Sequence, residues 1–78
     1  RVYRLLHMPL RELELSPRIG LCFKTQGFQF IGDVVQKTED EMLRYKDFGR
    51  KSLNELSAIF EGLELWWGMD VSQYGYVT

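Results

Sequence analysis

Helix start and stop signals recur at short intervals along this sequence and leave room only for short helices. Ser16-Pro17 is a start signal, because serine is a good N-cap residue and proline in the first helical position loses no hydrogen bond. Gly27 is a stop signal, since glycine readily takes the left-handed conformation that ends many helices. Together these signals predict a helix over about residues 17–26.

Further signals of the same kind follow in the second half of the sequence. Thr38-Glu39-Asp40-Glu41 predicts a capping box, with three acidic residues in the first turn, where the helix dipole favours negative charge. The clearest helix is predicted over Arg50 to Glu61, with Gly62 able to close it. A short segment ending near Gln36 also has helical spacing. Four or five short helices with short loops predict a compact all-α bundle.

The apolar residues of these segments predict one small core. Its expected members are Leu13, Ile19, Cys22, Phe23, Phe28, Ile31, Val34, Val35, Leu43, Leu53, Leu56, Ile59 and Phe60. At roughly 1.5–3 kcal/mol per buried large side chain, such a core is sufficient for the domain to fold alone. We expect residues 1–8 to be an arm or linker remnant, residues 9–69 to be the domain and residues 70–78 to be a tail.

Composition excludes several classes of function. The 78 residues are 45% hydrophobic and 27% charged, which is typical of a soluble globular domain. One cysteine and one histidine exclude an internal disulfide, a cysteine zinc cluster and a His-rich metal site. No nucleotide-binding or hydrolase motif is present, so we expect no cofactor and no catalytic residue. No apolar run approaches the roughly 18 residues of a membrane span and no signal peptide is visible, which predicts a cytoplasmic protein without a membrane partner.

The residues that most often carry chemistry have ordinary structural interpretations here. Cys22 lies on the apolar face of the first long helix, which predicts a buried structural thiol. His7 has no nucleophile or metal-ligand partner in the sequence, so we expect it on the surface. The acidic residues at 39–41 are expected to be helix-start charges and not a catalytic pair.

The segment from Lys46 to Leu53 is the strongest candidate site. It predicts a helix, a tight turn ending in Gly49 and a helix that opens with Arg50-Lys51-Ser52, which is a helix-hairpin-helix arrangement. Such a helix start suits a phosphate, because glycine permits close approach, free N–H groups point outward, and the basic and hydroxyl side chains add charge and a donor. The alternative is an ordinary, solvated helix start, and Asp47 stands where the commonest hairpin motif has glycine.

Arg18, at the start of the first long helix, is the second candidate. A long cation can enter the DNA minor groove, where the potential is negative, although an exposed arginine is more often simply solvated. The net charge of −1 argues against a strongly basic nucleic-acid module. The acidic residues gather at other helix starts and toward the tail, so a net charge of −1 is compatible with a basic face. With few cations on that face, DNA binding would involve few phosphate contacts, and both its affinity and its salt dependence would be limited.

Several stretches of the sequence together resemble one known family. They are Pro9-Leu10, Leu13-Glu14-Leu15-Ser16-x-Arg18, Cys22-x-Lys24, Phe30-Ile31-Gly32-Asp33-x-Val35-Gln36-x-Thr38-Glu39, Gly49-x-Lys51-Ser52-Leu53-x-Glu55 and Leu65-x-x-Gly68-Met69. In this order and at these separations, over about residues 9–69, they are similar to the C-terminal domain of the bacterial RNA polymerase alpha subunit.

The resemblance implies a non-catalytic all-α domain that is tethered by a flexible linker and acts in transcription. It implies binding to A·T-rich upstream promoter DNA in the minor groove, and docking of transcription activators and other RNA polymerase subunits. Arg18 is similar to the principal minor-groove arginine of the family. The further DNA contacts that it implies are Lys24, Gly49, Lys51, Ser52 and Glu55, and the physical interpretation of the hairpin adds Arg50.

Two departures from the family pattern leave an alternative open. Leu21 stands where the family pattern has asparagine, and it falls on the same helix face as Arg18, so one polar DNA contact worth about 1–3 kcal/mol would be lost. Trp66-Trp67 is also unusual, because two adjacent tryptophans cannot both face one core and an exposed one would mark a contact surface. The alternative is a protein-interaction module outside the polymerase, in particular a homodimer formed through Trp66 and Trp67, with weak or lost DNA binding.

Overall fold

Residues 1–77, which are the residues that the computed structural model describes, contain five α-helices and two 3₁₀ turns joined by loops. The helices are α1 (Val2–Leu6), α2 (Pro17–Gln26), α3 (Ile31–Val35), α4 (Glu39–Leu43) and α5 (Arg50–Gly62), and the 3₁₀ turns are Leu10–Glu12 and Val71–Tyr74. These residues contain no strand, so the predicted all-α class is confirmed. None of the described helices is long and apolar enough to cross a membrane.

The ends of α2 fall where the sequence predicts them. Ser16 is the N-cap residue with extended backbone, Pro17 is the first helical residue, and Gly27 closes the helix in the left-handed conformation at φ 76°. The Phe28 N–H then donates to the Phe23 carbonyl at 2.9 Å, which turns the backbone toward the core again. The Ser16 side chain makes no capping hydrogen bond, so Ser16 contributes to the helix start through its backbone conformation alone.

Carboxylates close the starts of α3 and α4. At α4 the predicted capping box is present, with the Glu41 N–H donating to Thr38 Oγ1 at 3.1 Å and the Thr38 N–H donating to Glu41 Oε1 at 2.9 Å. The bond from the Thr38 N–H holds the pKa of the Glu41 carboxyl below its usual value. At α3 the N–H groups of Gln29 and Phe30 both donate to Asp33 Oδ2, at 2.9 and 3.0 Å.

The end of α5 differs from the prediction that Gly62 closes this helix. Gly62 is still helical, and the left-handed residue is Glu64 at φ 63°. The Leu65 N–H donates to the Phe60 carbonyl at 2.8 Å and the Glu64 N–H donates to the Glu61 carbonyl at 3.0 Å, which is the Schellman arrangement. The backbone turns at Glu64 because Leu65, which is 5% exposed, must then enter the core.

The core is contiguous and extends past both predicted domain boundaries. Its buried apolar residues are Leu6, Leu10, Ile19, Cys22, Phe23, Ile31, Val34, Val35, Met42, Phe48, Leu53, Leu56, Phe60, Leu65, Met69, Val71 and Tyr76. Of the other predicted members, Leu13, Phe28, Leu43 and Ile59 are partly buried against it. Residues 1–8 and the described part of the predicted tail therefore pack onto the domain, although the boundaries themselves stay a prediction; Thr78 lies outside the described residues.

The C-terminal segment is held by Tyr76, which covers the start of α3. A Cβ atom at Gly32 would lie 2.6 Å from the Tyr76 ring, so glycine is required there for this close packing. The Tyr76 hydroxyl donates to Asp33 Oδ1. His7, which the sequence predicts on the surface, is intermediate in exposure because its ring packs against Tyr3 and Tyr76, with centroids 4.3 and 4.8 Å away.

Candidate nucleic-acid interface

The starts of α2 and α5 border one shallow surface depression. Ser16, Pro17 and Arg18 line it from α2, and Gly49, Lys51, Ser52 and Glu55 line it from α5. The two candidate sites chosen from the sequence, which are far apart in residue number, thus lie side by side. Both helices point their N-terminal ends toward this surface.

A hydrogen bond between the two helix starts fixes their relative position. The Ser16 N–H donates to Glu55 Oε2 at 3.0 Å, across 39 residues of sequence. Ser16 directly precedes α2, and Glu55 lies one turn inside α5, behind Lys51. Glu55 is therefore a positioning residue for this surface, a role that the sequence did not reveal because its partner is a backbone group with no side-chain signature.

The electrostatics of the depression favour an anion at its rim. The first N–H groups of a helix have no intrahelical acceptor and carry the positive end of the helix dipole. Arg18 and Lys51 add two exposed formal charges. Within residues 1–77 the only ion pair joins Arg1 to Glu64, with 3.2 Å between Nη2 and Oε1, so neither cation is neutralised by a salt bridge there.

Gly49 and Ser52 differ in exposure at the start of α5, since Gly49 is exposed and Ser52 is buried. The Gly49 backbone is extended, at φ −107° and ψ −171°, and a Cβ atom there would meet nothing within 4 Å. Glycine is thus not demanded by the backbone at this position, and its effect is to leave the helix start open. Ser52 is 5% exposed, so it borders the floor of the depression and its hydroxyl is not the freely presented donor that the sequence suggested.

The structure separates Lys24 and Arg50 from this group. Lys24 is exposed but lines a different groove, together with Arg11 and Phe23. Arg50 is exposed at the start of α5 and does not line the depression. Neither residue lines the depression, so their predicted contacts with DNA stay a prediction.

A buried aromatic residue fixes the hairpin turn between α4 and α5. Phe48 is 2% exposed, and its N–H donates to the Tyr45 carbonyl at 3.1 Å. Tyr45 in turn packs edge-on against Phe28, which lies just beyond the end of α2. The sequence predicted a tight connection here but not its anchor, because a single phenylalanine between polar residues has no periodicity to identify it.

The residues that depart from the family pattern have distinct environments. Leu21 is 57% exposed on the outer face of α2, in agreement with its predicted position on the Arg18 face. Trp66 is 54% exposed, whereas Trp67 packs edge-on against Phe60 and donates its Nε1–H to Ser57 Oγ at 2.8 Å. Of the two tryptophans, only Trp66 therefore offers its ring to a partner.

Comparison with known proteins identifies the family. The family model for the C-terminal domain of the bacterial RNA polymerase alpha subunit matches residues 2–62. The protein belongs to this family. The match begins before the predicted domain boundary at residue 9, so α1 is part of the shared domain, and it ends with α5.

A curated relative supports the same assignment for the alpha C-terminal domain. This protein is similar to the "DNA-directed RNA polymerase subunit alpha" of Salinibacter ruber (strain DSM 13855 / M31), at 46% identity over 74 residues. The aligned region covers 95% of the present sequence and 23% of the relative. The 78 residues thus span about a quarter of the length of that relative, and the similarity extends beyond α5 into the C-terminal segment.

Proposed function

We propose that this alpha C-terminal domain binds A·T-rich duplex DNA upstream of promoters, through the minor groove and the backbone. The observation that carries the proposal is the single depression in which Arg18 lies beside the helix start of Gly49, Lys51 and Ser52. Arg18 is long enough to enter a minor groove, while the α5 start contacts the adjacent phosphates with its N–H groups and Lys51. Arg50 and Lys24 contribute at the flanks, and Glu55 positions the two helices.

We also propose the setting in which this binding occurs. The domain is a non-catalytic part of a bacterial RNA polymerase alpha subunit, acts in the cytoplasm at the nucleoid, and docks transcription activators and other polymerase subunits. With a net charge of −1 and few cations at the depression, the isolated domain binds DNA weakly. A flexible tether to the polymerase would compensate by raising the local concentration of the domain near the DNA.

A fluorescence-anisotropy titration with a labelled A·T-rich duplex at low salt tests the DNA proposal. We expect Arg18→Ala to weaken binding about tenfold, since a good groove contact is worth about 1–3 kcal/mol. Lys51→Ala should weaken binding to all sequences and reduce the salt slope by about 1. Arg4→Ala is the matched control, because Arg4 is an exposed arginine on α1, away from the depression.

Two results would refute the DNA proposal. One is the absence of binding at tens of micromolar domain. The other is binding that Arg18→Ala and Arg4→Ala change equally, because the arginine at the depression would then have no special role.

The exposed ring of Trp66 supports a second candidate function, self-association or protein contact through the C-terminal segment. Trp67 is already engaged by Ser57 and Phe60, so Trp66 would carry this contact alone. Sedimentation velocity at two protein concentrations tests it, with Trp66→Ser as the variant. A dimer that Trp66→Ser dissociates supports this candidate, and a monomer at both concentrations refutes its homodimer form.

A further inference from the structure

A second groove runs along α2 and shares no lining residue with the Arg18 depression. Its volume is about 550 Å³. Leu10 and Phe23 form a buried floor, and the partly buried side chains of Leu15, Phe28 and Phe30 contribute its apolar walls. We call this feature the α2 groove. Its size and apolar lining are those of a site for a few side chains of a partner.

Gly20 keeps one wall of the α2 groove open. It lies inside α2, where glycine is the least favourable residue after proline. A Cβ atom at Gly20 would meet nothing within 4 Å, so the fold itself does not require glycine at this position. This contrasts with Gly32, where a side chain would collide with Tyr76. The effect of Gly20 is therefore on the groove and not on the packing of the domain.

The charged residues that line the α2 groove are both cations. Arg11 and Lys24 line it and are exposed, and the described lining residues include no aspartate or glutamate. Asp33, shortly after the lining residue Phe30 in the sequence, already accepts hydrogen bonds from Gln29, Phe30 and Tyr76. An apolar occupant with flanking negative charge is thus complementary to both the floor and the rim.

We propose that the α2 groove docks a short acidic peptide segment of a partner protein. One or two large apolar side chains of the segment occupy the floor against Leu10 and Phe23, and its carboxylates lie beside Arg11 and Lys24. The apolar floor favours a peptide over a nucleic acid, since a sugar-phosphate backbone has no large apolar side chain to fill it. This inference rests on the protein-docking half of the proposed function and shares only Lys24 with the DNA half.

A phage-displayed library of random 12-residue peptides, panned against the 78-residue protein, tests the inference. We expect the enriched peptides to combine an aromatic or leucine anchor with neighbouring aspartate or glutamate. Gly20→Leu fills the groove and should weaken the best synthetic peptide at least about tenfold, whereas Gly20→Ala, which leaves most of the groove open, should stay within about twofold. Arg11→Glu should weaken it about fivefold, and its matched control Arg4→Glu should not.

The outcomes separate this inference from the proposals on which it rests. Peptides that bind Gly20→Leu and Arg11→Glu as well as the unsubstituted protein refute the α2 groove and leave protein docking elsewhere intact. Failure to enrich any peptide refutes the α2 groove as a peptide site and leaves the docking of folded activators intact. Circular dichroism confirms that each variant is folded, and the A·T-duplex titration reports separately on DNA binding.

Discussion

Two carboxylates, Glu55 and Asp33, each join segments of this domain that are about 40 residues apart, and the two contacts have different structural effects. Glu55 accepts one hydrogen bond, from the Ser16 N–H, at the edge of a surface lined by cations. Asp33 accepts three, from two N–H groups before α3 and from the Tyr76 hydroxyl 43 residues later. The Glu55 contact orients two helix starts toward solvent, whereas the Asp33 contact closes the C-terminal segment over the core. The proposed DNA surface and the closure of the C-terminal segment thus depend on separate long-range contacts, and we expect that each can be broken without the other.

The largest expected effect is on stability, from Asp33→Ala. This substitution leaves two N–H groups and the Tyr76 hydroxyl without their acceptor, and hydrogen bonds to a charged group are worth about 1.5–3 kcal/mol each. We expect a loss of about 3 kcal/mol of unfolding free energy in a urea titration. Asp40→Ala, at an exposed acid in α4, is the control and should change it by less than about 0.5 kcal/mol. An equal loss in both variants would contradict the role of the Asp33 contact.

Tyr76→Phe isolates one part of the Asp33 contact and gives it a pH signature. Burial, together with the hydrogen bond to Asp33, raises the pKa of Tyr76 well above its ordinary value of 10.0. The folded state therefore binds the phenolic proton more tightly than the unfolded state. The stability that this provides is present below about pH 10 and is lost as the pH rises toward the folded-state pKa.

Urea titrations between pH 8 and pH 11 measure this effect. The unsubstituted protein should lose stability more steeply over this range than Tyr76→Phe, which should also be about 1 kcal/mol less stable at pH 8. Parallel pH profiles for the two proteins would show that Tyr76 does not titrate differently in the folded state.

A pair of substitutions at Glu55 distinguishes its positioning role from its charge. Glu55→Gln keeps an oxygen that can accept the Ser16 N–H, so DNA affinity should stay within about twofold. Glu55→Ala removes the acceptor, and we expect DNA binding to weaken about fivefold, which corresponds to about 1 kcal/mol. The anisotropy titration with the A·T-rich duplex measures both. If the alanine variant binds DNA as tightly as the glutamine variant, the Glu55 contact does not position this surface.

The smallest expected effect is a gain in stability from Glu64→Gly. Glu64 has φ 63°, where glycine is favoured over residues with a Cβ atom. The substitution also removes the exposed ion pair with Arg1, which contributes little. We expect a net gain of about 0.5 kcal/mol in unfolding free energy, with DNA binding unchanged. Arg1→Ala is the control that measures the ion pair alone, and a net loss for Glu64→Gly would mean that this pair outweighs the backbone.

Local signals predicted α2 and the start of α4, but they did not predict α1, which lies in the segment expected to be an arm. Ser16-Pro17, Gly27 and the capping box at Thr38 each act within a few residues, and the structure confirms all three. The same locality explains the wrong prediction at Gly62, where the turn is displaced to Glu64 because the packing of Leu65 decides its place. A glycine permits a helix end but does not impose one.

Long-range contacts explain what the sequence did not reveal. Tyr76 reaches Asp33 across 43 residues, and its ring also partly buries His7, so neither environment has a local signature. The candidate site was found because Arg18 and the hairpin each carry recognisable chemistry in a recognisable family pattern. Their placement beside one another, and the bond from Ser16 to Glu55 that fixes it, required the structure.

The single cysteine has a consequence for how this domain can be observed. Cys22 lies on the buried face of α2, the helix that also carries Arg18. Its burial, with a smaller effect from the negative charge of Asp47, raises the pKa of the thiol. A thiol reagent in solution can therefore reach the sulfur only while α2 is lifted from the core. The rate of Cys22 alkylation therefore measures local opening of that helix, and no added label is needed. A ligand that holds α2 in place, whether on its outer face or in its groove, would lower the rate of Cys22 alkylation.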